Sequence, residues 1–579
     1  MLPKIKVFYQ KVMAVVHRYP NVLVLALIAA VSAVVGVALD HRAEALFKVV
    51  KFTLIVCWGI SLMFASCMYQ QRQGRNVLWD WLALLPMVLL YYILPDDEQL
   101  FTEVHRIIIL VCGILSHLLV AFVPFLGKNN EIRFWQYNKN LFINFILTGI
   151  FTGVLVGGLE LAIAATDNLF ELNLRDETFL KVFFFVAILG SSFIFLMFND
   201  GGLTQLEQGD DYPLVLKFFT QFVLIPLLII YALILYGYML KIGIRWELPR
   251  GWVSYMILAY AVFGILALLL VHPLKNEHSK SWVKVFSKVF YYALIPLLGL
   301  LYVAIFTRIL EYGYTEARYF VLLTALWLTS IVVYFVVFRK ANIKFIPISL
   351  FILGLAALVF PYFNAFSVAK RSQKQELMKL LEDNQLLSNG VIDFKKKISQ
   401  NKAYEISDKV FFLSERDEKE WLYPYIPKEK LKEFKQYHSI LPLFETVVMD
   451  DGTKKEDELV ILESKQSGFP VEGYQYVLPL QYVNDFTFNV KEDTFRVFRH
   501  PTNDIIYVVL NDKETMDINA LVLEKYQSHF SESKEENWVD SLFVEGKLGR
   551  YEVKVIISKI TKYSNEKRIY PDGIYVLIK

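Results

Sequence analysis

Apolar runs of about 20 residues recur through the first two-thirds of the chain, and that is the length a helix needs to cross the hydrocarbon of a bilayer. They lie at 21–39, 52–69, 77–94, 107–126, 141–165, 179–198, 214–240, 252–271, 289–307, 319–338 and 345–363, with short polar connections between them. Surfaces of this kind must be buried in lipid or against one another. The pattern predicts a polytopic α-helical membrane bundle of about eleven transmembrane helices over residues 1–363.

Beyond residue 363 the composition changes, and Lys, Glu and Asp recur every few residues. A soluble α+β domain is expected over 364–579, β-rich in its second half. Gln375–Leu387 reads as a short amphipathic helix stopped at Asn389-Gly390, and 428–436 as another helix. From Tyr474 onward YQYVLPL, FTFNV, FRVFR, IIYVVL, YEVKVIIS and GIYVLI read as strands. The aromatic patch WLYPYIP, 421–427, fits the core of this domain better than a docking surface.

A net charge of +3 over 579 residues, with no block of like charge, argues against nucleic acid as a partner. The bilayer is the partner that the spans demand. Cys57, Cys67 and Cys112 all lie in apolar runs, which leaves no disulfide framework and no thiolate metal site. No cofactor motif is present, and His438, His500 and His529 have no hydrolase-like or metal-ligand context.

Orientation follows from Lys and Arg, which favour the cytoplasmic side. Lys4, Lys6, Lys11 and Arg18 precede the first span; Arg72, Arg75, Lys128, Arg133, Lys139, Lys217, Lys275, Lys280, Lys284, Lys288, Arg339, Lys340 and Lys344 fall on the same side if the spans alternate. Lys241, Arg245 and Arg250 oppose the trend. The basic start resembles a signal peptide, but the first run is long enough to span and lacks a cleavage site, so it reads as a retained helix. The expectation is a cytoplasmic N-terminus and a C-terminal domain outside the cytoplasm, which in a bacterium with two membranes is the periplasm.

Span five carries the most informative constellation. Gly149, Gly153 and Gly157, spaced by four, make a small-residue face on which another helix can pack closely. Glu160 falls on that face, and intramembrane acids usually face a bundle interior. Glu160 is therefore the leading candidate functional residue, against the plainer reading of a hydrogen bond to a neighbouring helix. In span seven Lys217 and Gln221 lie four apart ahead of Pro226, whose missing N–H frees a carbonyl. His117 is a candidate proton relay, weighed against simple packing, as is His105. Asp200, Asp210 and Asp211 form an acidic connection that offers oxygen ligands to a divalent cation, although its spacing matches no defined loop. Asp80, between two tryptophans, marks the interface of span three.

The entry His17-Arg18-Tyr19-Pro20, the stretch Tyr212–Pro273 and the exit FNAFSVAKRSQKQELMKLLEDNQLL, 363–387, together resemble the bacterial membrane family known as domain of unknown function 4153. The resemblance implies a many-spanning inner-membrane protein with no assigned activity. Three functions compete: a transporter-like protein whose pathway passes Glu160 and carries a small solute, an envelope sensor or assembly protein with a protein partner, and a membrane-embedded transferase acting on lipid-linked substrates. The first outer connection, 40–47, is too short for the acidic site such transferases carry. A non-enzymatic transport or envelope-partner role is favoured.

Overall fold

The computed structural model describes all residues except 1, 40–42, 128–129, 209–212, 246–251, 273–280, 339, 438–439, 449–458, 466–467, 480–484, 500–504, 528, 531–535 and 564–568. The chain divides into two compact units, Met1–Val448 and Met449–Lys579.

The first unit opens with α1 (Leu2–Arg18), a helix not anticipated from the sequence. Tyr19 leaves helical geometry, and Pro20 begins α2 (Pro20–Ala38), because proline lacks the N–H that a first turn would leave unused anyway. There follow α3 (Ala43–Gln73), α4 (Leu78–Ile93), α5 (Glu103–Phe122), α6 (Glu131–Phe170), α7 (Asp176–Met197), α8 (Leu214–Arg245), α9 (Trp252–Leu270), α10 (Ser281–Tyr312), α11 (Glu316–Val337) and α12 (Phe345–Val359). Among the described residues nine helices are long and apolar enough to cross a membrane, and the shorter apolar α4 and α12 complete the expected set. This is a multi-pass membrane protein.

Polar contacts at the helix ends sort the connections into two sets. At one end Tyr19 donates to the Asn199 carbonyl at 2.8 Å, Arg72 Nε to the Pro124 carbonyl at 3.1 Å, and the Ile343 amide to Glu131 at 2.9 Å. At the other, Lys51 Nζ donates to the Leu94 carbonyl at 2.6 Å and to Asp96 at 2.8 Å, and Tyr319 donates to the Phe363 carbonyl at 2.7 Å. The two sets alternate along the chain, as they must when successive helices run back and forth.

Two apolar cores hold the bundle. One joins α1–α7 around Tyr19, Met68, Tyr137 and Leu196; the other joins α8–α12 around Ile257, Phe290 and Leu328. Trp135 Nε1 donates to the Leu269 carbonyl at 2.6 Å and links the two.

After Asn364, whose side chain caps the amide of Ser367 at 2.7 Å, α13 runs from Ala365 to Asp383, so it starts ten residues before the expected helix. Asn389 and Gly390 stop no helix. Both have positive φ (51° and 79°) and turn the hairpin of β1 (Leu387–Ser388) and β2 (Val391–Ile392), a use that Asn-Gly serves well because both residues tolerate left-handed backbone. β3 (Ile398–Ser399), α14 (Gln400–Ser414), α15 (Lys428–Tyr437) and β4 (Val447–Val448) complete a small core with Leu377, Leu381, Leu422 and Phe434. Leu422 and Ile426 are buried in it, as expected of the WLYPYIP patch. The compositional change at 363/364 and the division into compact units at 448/449 are thus different boundaries, because 365–448 packs with the helices before it.

The second unit holds β5 (Leu459–Ser464), β6 (Tyr476–Pro479), β7 (Asp485–Val490), β8 (Asp493–Arg499), β9 (Ile506–Leu510), β10 (Glu514–Asp517), α16 (Ile518–Lys525), β11 (Glu536–Val539), β12 (Phe543–Leu548), β13 (Tyr551–Tyr563) and β14 (Ile569–Ile578). All six expected strand segments are found. They form an antiparallel sheet β10-β9-β8-β7 and a larger sheet β11-β5-β13-β14-β6, with β12 also on β13. Val508, Val555, Ile574 and Val522 of α16 share one core.

Candidate functional site

Two cavities lie side by side in the α2–α7 part of the bundle, and Val22 lines both. The larger, about 760 Å³, is bounded by α3, α5, α6 and α7. Phe145, Ile146, Ile150, Ile188 and Phe195 make its walls apolar, and Ser61, His117, Thr148, Thr152, Ser191 and Ser192 place polar atoms in it. Phe145, Ile146 and Ile150 are exposed, so this wall is the side on which the cavity meets the surroundings of the bundle.

Most of those polar atoms are satisfied. Ser61 donates to Ser116 at 2.8 Å, Thr148 to the Asn144 carbonyl at 2.7 Å, and Ser192 to the Ile188 carbonyl at 2.8 Å. His117 Nδ1 stands 2.8 Å from the Gly113 carbonyl. The Thr152 hydroxyl is shielded from solvent and has no hydrogen-bond partner among the described residues. A wide π turn, Val186–Gly190, forms the α7 wall, and such turns often occur where a helix is shaped around a site.

The smaller cavity, about 240 Å³, lies at the end of the bundle that carries Tyr19 and is lined by His17, Arg18, Gln70, Gln71, Arg75 and Asp80, with Tyr19 and Cys67. Its frame is hydrogen-bonded throughout. Asp80 accepts from Gln70 at 2.6 Å, Asn21 at 2.9 Å and Ser66 at 3.0 Å. Buried Asn199 donates to the Phe195 carbonyl at 2.6 Å and accepts from Asn144 at 2.8 Å. Gln71 accepts from the Leu203 amide at 2.8 Å. Gly202 has φ of +68°, and a Cβ there would run into Arg18 Nη1 and Gln71 Oε1. Arg72 forms a two-pronged pair with Glu207, and Lys11 stands 3.5 Å from Asp200.

The residues singled out from the sequence are dispersed. The close helix contact expected at Gly149, Gly153 and Gly157 is not made among the described residues: beyond its own helix backbone, a Cβ at any of the three would meet no described atom within 4 Å. Small residues permit close approach but do not supply the partner. Glu160 is half-buried, and its Oε1 is shielded without a hydrogen-bond partner among the described residues. It lies eight residues beyond Thr152, about 12 Å along α6. Gln221 is buried, Lys217 half-buried. Between Lys217 and Pro226 the helix widens into a π turn, Phe219–Leu224, which alters the facing that a regular helix would impose and accommodates the N–H that Pro226 lacks. His105 caps its own helix, accepting from the Thr102 amide at 3.0 Å. Asp200 faces Lys11, Asp210 and Asp211 lie outside the described residues, and among the described residues no group of three acidic, His or Cys side chains could hold a metal. His438 and His500 also lie outside the described residues.

Sequence reasoning missed the Tyr19–Asn199 corner, Arg18 with Gln70 and Gln71, and Lys51. Asn140 and Asn144, four apart in the first third of α6, are the legible signal for the first, since both point at the 198–208 connection.

The family model described as domain of unknown function (DUF4153) matches residues 22–392. The chain belongs to the DUF4153 family. The match takes in the helices around the larger cavity and the α3 and α4 side of the smaller one, begins after His17, Arg18, Tyr19, Pro20 and Asn21, and continues through α13 to the end of β2. The uncharacterized protein PM1469 of Pasteurella multocida (strain Pm70) is 28% identical over 304 residues, 50% of this chain and 51% of that protein, so the chain spans about half the length of the curated relative it matches. No solved structure matches. The DUF4153 assignment agrees with the resemblance read from the entry, span and exit segments. It carries no activity.

Proposed function

We propose that this DUF4153 protein takes up an amphiphile from the bilayer and holds or transfers it, without itself catalysing a reaction. The cavity of about 760 Å³ carries this reading. It has the size of a small-molecule site, it is mostly apolar with a few polar groups, and exposed apolar residues border it.

Lys and Arg bias supports a cytoplasmic N-terminus and a periplasmic C-terminal unit in a bacterial inner membrane. Reporter fusions at Lys579 test the side. The test of uptake is a photoactivatable phospholipid in proteoliposomes containing the full chain. Label is expected on α6 and α7 peptides and is expected to disappear in Ala187→Trp, which fills the cavity. Equal labelling of wild type and Ala187→Trp would overturn the reading.

One observation favours a second reading, a solute or proton pathway through α6: the shielded, unpartnered Oε1 of Glu160. Flux into vesicles that is unaltered by Glu160→Gln removes Glu160 from any pathway.

A further inference from the structure

The cations around the smaller cavity differ in what they face. Lys11 faces Asp200, and Arg72 and Arg133 share Glu207. Asp80, the cavity's own carboxylate, has both oxygens engaged by the neutral donors Asn21, Ser66 and Gln70. Arg18 and Arg75 line the same cavity, and neither makes an ion pair with a carboxylate among the described residues. Every nearby described acid is already occupied.

Arg18 is held at the corner between α1 and α2, its backbone carbonyl accepting from Cys67 Sγ at 3.4 Å. Gly74, with φ of +104°, turns the chain after α3, and Arg75 follows it as a second lining residue of the cavity. Guanidinium groups suit phosphate because their N–H groups match its oxygens in a planar fork. The cavity also meets the first turn of α2, which has no side-chain cap, and the helix dipole there has the same sign. Next to it α1 exposes Val7, Phe8, Tyr9 and Val16, apolar side chains suited to the acyl boundary of a bilayer.

We infer that Arg18 and Arg75 bind the phosphate of an anionic amphiphile in the 240 Å³ cavity, while its apolar part occupies the adjoining 760 Å³ cavity past Val22. The inference rests on the amphiphile reading and adds the class of head group: a phosphate-bearing anion. Free phosphate offers the same chemistry from a different source.

The full chain is reconstituted into nanodiscs of phosphatidylcholine with or without phosphatidylglycerol, repurified in detergent, and its retained lipids are counted by mass spectrometry. Wild type is expected to enrich phosphatidylglycerol. The Arg18→Gln/Arg75→Gln protein is expected to lose this enrichment about tenfold, the scale of a charge-assisted hydrogen bond, with total retained lipid unchanged. Arg75→Gln alone, at an exposed position, guards against misfolding and should lose about threefold; Arg18→Lys/Arg75→Lys should retain part of the enrichment. A melting temperature raised by inorganic phosphate in pure phosphatidylcholine, and not in the double variant, would assign the site to free phosphate and keep its chemistry. Equal phosphatidylglycerol enrichment in wild type and in folded Arg75→Gln and double variants overturns the inference. Total lipid unchanged by Ala187→Trp instead overturns the amphiphile reading, and the two failures are separable.

Discussion

Arg416 grips Glu316 through both carboxylate oxygens, Nε to Oε1 at 2.7 Å and Nη2 to Oε2 at 2.9 Å, and both side chains are buried. Glu316 is the first residue of α11 and Arg416 follows α14, so the pair ties a membrane helix to the segment after the last span. Gln373 and Lys409 reinforce it: Gln373 donates to the carbonyls of Tyr312 and Tyr314 at 3.0 and 2.8 Å, and Lys409 donates to the Tyr312 carbonyl at 3.2 Å. The turn between α10 and α11 is thereby held by side chains that come later in the chain.

Removing one member of this pair leaves a buried charge alone. Glu316→Gln or Arg416→Gln is expected to destabilise the first unit by about 3–5 kcal/mol, whereas replacing both with Met should cost much less. Thermal unfolding in detergent reads the difference. A double variant as unstable as the singles would refute the paired-charge account.

Glu418 should make this docking acid-sensitive. Burial alone would raise its pKa, but hydrogen bonds from Lys374 and Lys370 outweigh burial and hold the carboxyl below its usual value. A depressed folded-state pKa contributes stability above the unfolded pKa, and that contribution is lost as pH falls through the folded value. Protease resistance of the α13–α14 segment is expected to fall below the ordinary glutamate range, and the Glu418→Gln protein should show a flatter profile there.

Glycines that look alike in sequence should respond oppositely. A Cβ on Gly264 of α9 would collide with the Phe290 ring, so Gly264→Ala must shift a buried aromatic and is expected to cost about 1–3 kcal/mol. Gly153→Ala meets nothing among the described residues and should be neutral or stabilising by up to about 1 kcal/mol. Comparing the two melting temperatures decides; a large loss in Gly153→Ala would mean that a second molecule packs on that face.

Lys51 lies within a long apolar helix yet is buried against the other end of the bundle, bonded to Leu94 and Asp96 and lying 4.2 Å from the Tyr91 ring centre. Lys51→Met should cost about 1–3 kcal/mol by leaving the Leu94 carbonyl unpaired. The loss would appear as a lower melting temperature, and an unchanged one would show that water serves the carbonyl equally well.

The helices and strands were legible because each obeys a local rule. An apolar run of about 20 residues has few alternatives to a membrane helix, and alternation between turn signals is enough to mark β7, β8 and β14. Asn389-Gly390 misled because the same pair serves helix ends and hairpins, and the choice depends on whether Ile392 has a strand to pair with. Gly149, Gly153 and Gly157 misled because spacing describes one helix surface and is silent on what stands opposite.

By itself the sequence determined a multi-pass bundle, its family, and a strand-rich end, since hydropathy and periodicity are properties of consecutive residues. Only the tertiary structure decided which polar groups meet: Tyr19 with Asn199, Arg416 with Glu316, and Arg18 and Arg75 around one cavity with their neighbouring acids taken. Those pairings join residues up to 180 positions apart, and they are set by how the helices pack, which no local pattern encodes.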